Sequence, residues 1–409
     1  MRGVESPLLL TCWSPEAAAA QCISKADTTP GMRKGRTHSM QILITGGAGF
    51  IGSHLADDLL RRGHRVRALD NLSPQVHGAS GERPAYLNAD VEFIRGDVRD
   101  ADTVHRALAG VDAVYHFAAC VGVGQSMYEI EQYTSTNNLG TAVLLQELVD
   151  RPVRRLVVAS SMSLYGEGLY RAPDGSAVAG SERGLEQLRA ADWDVRGADG
   201  AALEAVPTPE TKPPSLSSVY ALSKFDQERL CLMIGRAYNI PTVALRFFNV
   251  FGTRQSLSNP YTGVLAIFAS RLLNDNAPLI FEDGLQQRDF VSVYDIVQAC
   301  RLALDSPDGA GRAFNVGSGR AYTIREVARL LSAILGKPDI EADICGKYRV
   351  GDIRHCFADI TLARQVLGYR PTVMLEDGLV ELADWLQDQA AEDRVAEASQ
   401  QLAARGLTV

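Results

Sequence analysis

The stretch Thr45-Gly46-Gly47-Ala48-Gly49-Phe50-Ile51-Gly52 constrains this chain more than any other: its glycines 46, 49 and 52 stand where an apolar run (42–45) gives way to an amphipathic one (51–62). Each glycine has a mechanical use at a strand-to-helix turn. The first permits the tight turn, the second lets backbone approach a pyrophosphate, and the third lets helix pack on strand, while the free N–H groups of the helix start favour an anion. Asp70 closes the next apolar run, at 66–69. With Asn71 beside it, it stands where a carboxylate accepts hydrogen bonds from adenosine ribose hydroxyls and repels a 2′-phosphate, which favours NAD over NADP. A glycine turn without a ligand is the plainer alternative; the strand before it, the helix after it and the acid downstream argue against it.

The alternation continues. Apolar runs at 91–94, 113–117 and 156–159 read as buried parallel strands, with helix-like segments at 102–109 and 137–148 between them. Repeated β-α order predicts an α/β chain: a Rossmann-type doubly wound parallel sheet over 40–248, then a smaller C-terminal α/β substrate-binding domain over 249–390. Segment 167–214, rich in Gly, Ala, Pro and mixed charge, reads as an insertion with one helix near 182–190, either a lid on the site or a surface excursion. A helix is expected at 217–238 and a strand at 242–247. Residues 391–409 read as a solvated helical tail, and 1–39 as a disordered extension, with Met40 as an alternative start.

Composition excludes several classes. A net charge of -8 supplies no broad basic surface for nucleic acid. The seven cysteines are odd in number and lack a C-x-x-C pair, so neither a disulfide framework nor a metal site is expected, and the thiols suit a cytoplasmic protein. The chain has no run of 18 apolar residues, so no membrane partner is expected.

At the carboxyl edge of such a sheet, where ligands bind, Ser160 and Ser161 close the fifth strand, and Asp97-Val98 and Phe117-Ala118-Ala119 follow the third and fourth. Tyr220 and Lys224 are four apart on the next helix and share a face. An ammonium beside a phenol stabilises the phenolate, which turns a group with a pKa of about 10 into a general base near neutrality. Alone, such a pair reads more simply as surface decoration; after a glycine fingerprint and a strand-terminal serine it reads as chemistry.

The motifs TGGAGFIGSH (45–54), DN (70–71), HFAA (116–119), NNLGT (137–141), SSMSLYG (160–166), YALSK (220–224), LRFFNVFG (245–252), RDFVSV (288–293) and FNVGSG (314–319) resemble those of the extended short-chain dehydrogenases/reductases, specifically the nucleotide-sugar epimerases and dehydratases. The resemblance covers residues 40 to 385. It implies Ser161, Tyr220 and Lys224 as catalytic residues, with Tyr220 and Lys224 also against NAD. It adds Asn137 on the cofactor side, and Ser161, Asn249, Arg288, Arg349 and Asp352 on the side of a nucleotide-diphosphate sugar. Arg288 and Arg349 suit a diphosphate. Members that eliminate water carry an acid pair after the catalytic serine, where this chain has Met162 and Ser163, and 3,5-epimerases place a cysteine at 163. The resemblance therefore implies 4-epimerisation through a transient 4-keto sugar, of a dTDP-activated deoxysugar such as dTDP-L-rhamnose or of a UDP-sugar. It also implies a homodimer formed around 137–148 and 217–238. A non-catalytic NAD sensor and a net dehydrogenase are the rival readings.

Overall fold

In the computed structural model, residues 39–389 and 392–408 are described; the expected extension, with Cys12 and Cys22, lies outside them apart from Ser39. Seven parallel strands form the central sheet: β1 (Gln41–Thr45), β2 (Arg65–Asp70), β3 (Glu92–Arg95), β4 (Ala113–His116), β5 (Arg155–Ser161), β6 (Thr242–Phe247) and β7 (Arg312–Val316). Their spatial order is β7-β6-β5-β4-β1-β2-β3, and Thr45 pairs with both Leu69 and His116, so β1 lies inside the sheet between β4 and β2. The order reverses beside β1, where β2 runs to one side and β4 to the other. A crevice opens at such a switch point, beyond the carboxyl ends of the strands.

Period-two alternation explains why the strands are apolar throughout. Ile42, Ile44, Tyr115, Val157 and Leu245 enter one core, under α1 (Phe50–Arg61) and, farther along the chain, the helix Val293–Asp305. Leu43, Val114, Leu156, Val158 and Ala244 enter the other, under α2 (Ala101–Ala107), α3 (Gly140–Asp150) and α4 (Val219–Ala237). Both faces are covered, as a parallel sheet requires. Helix α4 starts at a side-chain cap, where the Ser218 hydroxyl accepts the Ala221 N–H at 3.1 Å.

A third core, around Phe251, Phe268, Phe290, Leu331 and Leu379, builds the smaller lobe from α5 (Val264–Leu273), α7 (Ile324–Ile334) and α8 (Leu375–Leu386). Between them α6 (Val293–Asp305) and β7 return to the central sheet, so the lobes interleave in sequence instead of dividing at 248. No helix among the described residues is long and apolar enough to cross a membrane.

The insertion is ordered. Its helix (Leu185–Arg189) falls where expected, but Leu169–Arg171, Ala177–Ala179 and Glu204–Val206 form an unforeseen antiparallel sheet. Glu167 accepts the Arg354 N–H at 2.7 Å, and the fully buried Glu282 takes Arg183 at 2.9 Å and Arg354 at 3.0 Å. Burial makes these charges costly unless paired, and their pairing pins the insertion to the smaller lobe.

Candidate active site

A cavity of about 900 Å³ runs along the carboxyl edge of the sheet between the lobes, and Gly46, Gly49, Gly52, Ser161, Tyr220 and Lys224 all line it. Its size is at the upper end of small-molecule sites, roughly 300–1,000 Å³. None of the lining comes from residues 167–214, so the insertion is not the lid that its position between Ser161 and Tyr220 had suggested.

At the cofactor end, Gly46 takes φ +71°, and a Cβ there would lie 2.8 Å from the Ala118 nitrogen. Gly49 differs: the single atom near a Cβ would be the Gly46 oxygen at 3.4 Å, so a side chain would project into the cavity. No side chain caps α1, which leaves the amides of Phe50, Ile51 and Gly52 facing the same space. Anion-seeking amides over an open cradle fit a pyrophosphate. The Asp70 carboxylate accepts the Ala48 and Leu72 amides at 3.1 and 3.0 Å, with His77 3.6 Å away. Asp97 is held by Arg99 and Asn71, at 2.8 and 3.0 Å, and the Arg99 hydrogen bonds bring its pKa down to about 2. Val98, Phe117, Ala118 and Ala119 line the cavity as expected.

Asn137 does not line it. Fully buried in a π-helical stretch (Thr134–Leu139), its amide accepts the Cys120 N–H at 2.8 Å and donates to the Cys120 carbonyl at 3.1 Å and the Ser223 hydroxyl at 2.9 Å. It therefore acts by fixing the loop after β4 and the middle of α4. The expectation of a direct cofactor ligand is replaced, because a side chain with no exposed atom can only position its neighbours.

The Ser161 hydroxyl is oriented by the Ser163 N–H and hydroxyl, at 3.1 and 2.8 Å, a role that sequence reasoning missed. The Tyr220 ring meets the ring of the buried Tyr133 edge-on at 6.4 Å, and its backbone N–H donates to the Ser126 hydroxyl at 3.0 Å. Burial raises the Tyr220 pKa, while the Ser161 side chain, hydrogen-bonded to the phenol, pulls it back. The expected ammonium–phenol contact is not formed. Lys224, also buried, donates to the Gln227 carbonyl at 2.7 Å, and burial lowers its pKa to about 8. Gln227 is anchored in turn through Thr141, at 2.9 Å, to His116, which bridges Thr141 and Thr45 at 2.9 and 2.8 Å. Burial takes the His116 pKa to about 3, so the imidazole is neutral and serves as a structural bridge across β1, β4 and α4.

On the far side, Asn249, Arg288, Arg349 and Asp352 all line the cavity. The Asn249 carbonyl oxygen is buried and has no hydrogen-bond partner among the described residues. Arg288 donates to the carbonyls of Gln287, Ile353 and Arg354 at 2.8, 2.6 and 2.9 Å, and Arg349 is paired with Asp352 at 2.9 and 3.1 Å. Both arginines are thus less free to meet a diphosphate than their sequence positions implied. Gln75, Gln255, Tyr261 and Gln286 also line the cavity; no recognisable motif marked them.

The NAD dependent epimerase/dehydratase family model matches residues 42–183 and 197–317, nearly two-thirds of the chain. The chain belongs to this family. NAD is its cofactor, and the enzyme is of the nucleotide-sugar epimerase type. A dTDP-L-rhamnose 4-epimerase of Burkholderia thailandensis is 37% identical over 354 residues, 85% of this chain and 95% of the relative. A UDP-glucose 4-epimerase of Thermotoga maritima, solved with UDP-glucose, is similar at TM-score 0.70 and 32% identity, covering 85% of this chain and 99% of that one. The Thermus thermophilus UDP-glucose 4-epimerase, solved with NAD, matches at TM-score 0.67 and 31% identity, over 86% and 100%.

Proposed function

We propose that this enzyme inverts C4 of a nucleotide-diphosphate sugar, with dTDP-L-rhamnose as the favoured substrate. One observation carries the reading: Ser161, Tyr220 and Lys224 open onto the same cavity as the glycine turn, and the positions after Ser161 hold Met162 and Ser163 instead of an acid pair. Neither of those side chains exchanges a proton near neutrality, so the site is equipped for the oxidation–reduction half of the family's chemistry and lacks the groups for dehydration.

Gly46, Gly49 and the first amides of α1 would hold the NAD pyrophosphate, Asp70 the adenosine ribose and Lys224 the second ribose. When bound, NAD supplies the hydride acceptor and later the hydride donor. Tyr220, acting as the phenolate, takes the proton of the C4 hydroxyl as the C4 hydride departs, which leaves a 4-keto sugar, and it returns that proton to the same oxygen when hydride comes back to the other face of the turned sugar. The Ser161 hydroxyl hydrogen-bonds that oxygen through both half-reactions. Lys224 supplies a buried positive charge on the same wall of the cavity, and Gln227 sets where that charge sits. Asn249 accepts a hydrogen bond from the substrate, and Arg288 and Arg349 line the diphosphate end.

The Burkholderia relative supports the dTDP-sugar, whereas the UDP-glucose bound in the Thermotoga structure supports a UDP-hexose as second reading. Incubation with dTDP-L-rhamnose and UDP-glucose, without added NAD, and NMR of the products tests both. An epimerase carrying its own cofactor turns over many times, a dehydrogenase stops after one cycle, and a sensor converts nothing. Tyr220→Phe is expected to lower turnover by about 100- to 10,000-fold and to keep NAD bound; full activity in that variant removes Tyr220 from the mechanism.

The working form we infer is a homodimer. Leu139 and Met233 are 52% and 56% exposed, Ile130 and Leu222 are exposed beside them, and Leu222, Leu230 and Met233 share a face of α4. A second copy of this chain, meeting α3 and α4 with its own, is the occupant that fits a self-complementary face.

A further inference from the structure

The chain's last segment lies beyond the family match, which ends at residue 317, and beyond the motifs that resemble the family. The expected solvated tail is instead a packed helix, α9 (Val395–Ala404), with Ala398 and Leu402 buried. It crosses between the lobes. On the cofactor lobe the Tyr128 phenol donates to Gln401 at 3.0 Å, the Arg405 guanidinium lies 4.3 Å from the Tyr128 ring, and Leu402 packs over Gly124, where a Cβ would meet its methyl at 3.5 Å. On the smaller lobe the Tyr261 phenol reaches the same Gln401 oxygen at 3.2 Å, and the Val350 N–H donates to the Leu407 carbonyl at 3.0 Å. Arg349 itself bridges to Thr408 through backbone. Between these anchors Val395, Ala398, Ser399 and Leu402 line the cavity.

We propose that α9 is a clasp completing the substrate half of the cavity, and that Ala398, Ser399 and Leu402 are binding and specificity residues for the nucleotide sugar. The inference rests on the nucleotide-sugar reading above. Three features carry it: the helix places side chains on the cavity surface, it is tied to both lobes, and its last residues are joined to Arg349 and Val350 at the end away from the glycine turn. A wall tied to both lobes on the substrate half of the cavity bears on affinity without touching the Ser161–Tyr220 chemistry.

The test compares the intact holoenzyme with Leu402→Ser, Leu402→Met and a chain ending at Gln389, with Gln400→Ala on the exposed face as control. We expect KM for dTDP-L-rhamnose to rise at least fivefold in Leu402→Ser and more in the shortened chain. Expected alongside are kcat within about twofold, unchanged NAD content, recovery in Leu402→Met and no effect in Gln400→Ala. A KM unchanged in Leu402→Ser at wild-type Tm overturns the clasp, and so does a fall in kcat or NAD content with KM unmoved. If the shortened chain does not fold, the Leu402 pair decides. Should the intact enzyme convert neither sugar, the epimerase reading fails while calorimetry with dTDP and UDP still judges the clasp: at least fivefold weaker binding to Leu402→Ser supports it, and equal affinity overturns it.

Discussion

Lys224 shows what a motif leaves unsaid. Its spacing from Tyr220 was legible, and so was the shared helix face, but its hydrogen bond goes one turn onward to Gln227 and not back to the phenol. The reason is burial. A nearly inaccessible ammonium must be satisfied, and the Gln227 side-chain carbonyl on its own helix accepts its hydrogen bond. The same burial sets a pH dependence: a base whose pKa is lowered in the folded protein is charged only below the lowered value, here about 8 instead of 10.5. As pH rises through that region the buried Lys224 cation proposed to hold the cofactor ribose is lost, so kcat/KM is expected to fall toward tenfold per pH unit on its alkaline side. Lys224→Arg, charged at every accessible pH, should carry the plateau past pH 9 at a lower kcat; an identical limb in both proteins would show that another group titrates.

Among the elements, the glycine turn was readable to the residue, because its spacing lies within one strand-to-helix junction. Its three glycines nevertheless do different work. A Cβ at Gly52 would lie 2.4 Å from the Gly46 oxygen, so any side chain there disrupts the strand-to-helix junction, whereas Gly49 sits in extended backbone with φ -75° and ψ 179°. Valine is comfortable in that conformation. Gly49→Val is therefore expected to fold with a Tm close to that of the cofactor-stripped wild type and to bind NAD at least tenfold more weakly, as read by cofactor release on denaturation and by titration; undiminished NAD would show that the cradle lies elsewhere. The insertion and the tail were the poorly legible elements. The sheet at 169–206 consists of three-residue strands whose alternation is too short to stand out, and what holds it, the Glu282 cluster, joins residues about a hundred positions apart. In α9 the signal existed: Val395, Ala398 and Leu402 recur at helical spacing, but the surrounding Ala, Glu and Gln resemble a solvated helix.

For the whole molecule, the interleaving of the lobes makes the cavity a joint product of both, and the exposed Ile130, Leu139, Leu222 and Met233 do not line it. The proposed dimer predicts that Met233→Glu, which sets a carboxylate among those side chains, gives a monomer in sedimentation at micromolar concentration with the cofactor still bound; a wild-type chain that is itself monomeric there refutes the pairing. Taken alone, the sequence determined the parallel α/β sheet and the glycine turn, since both follow from periodicity or spacing within a few residues, and its family motifs singled out Ser161, Tyr220 and Lys224. Only the tertiary structure decided that Asn137 positions instead of binding, that Arg288 and Arg349 already have partners, that the insertion stands off the cavity and that the last helix lies on it. Those outcomes depend on which surfaces meet when segments far apart in the chain are folded together, and a pattern of neighbouring residues carries no record of that.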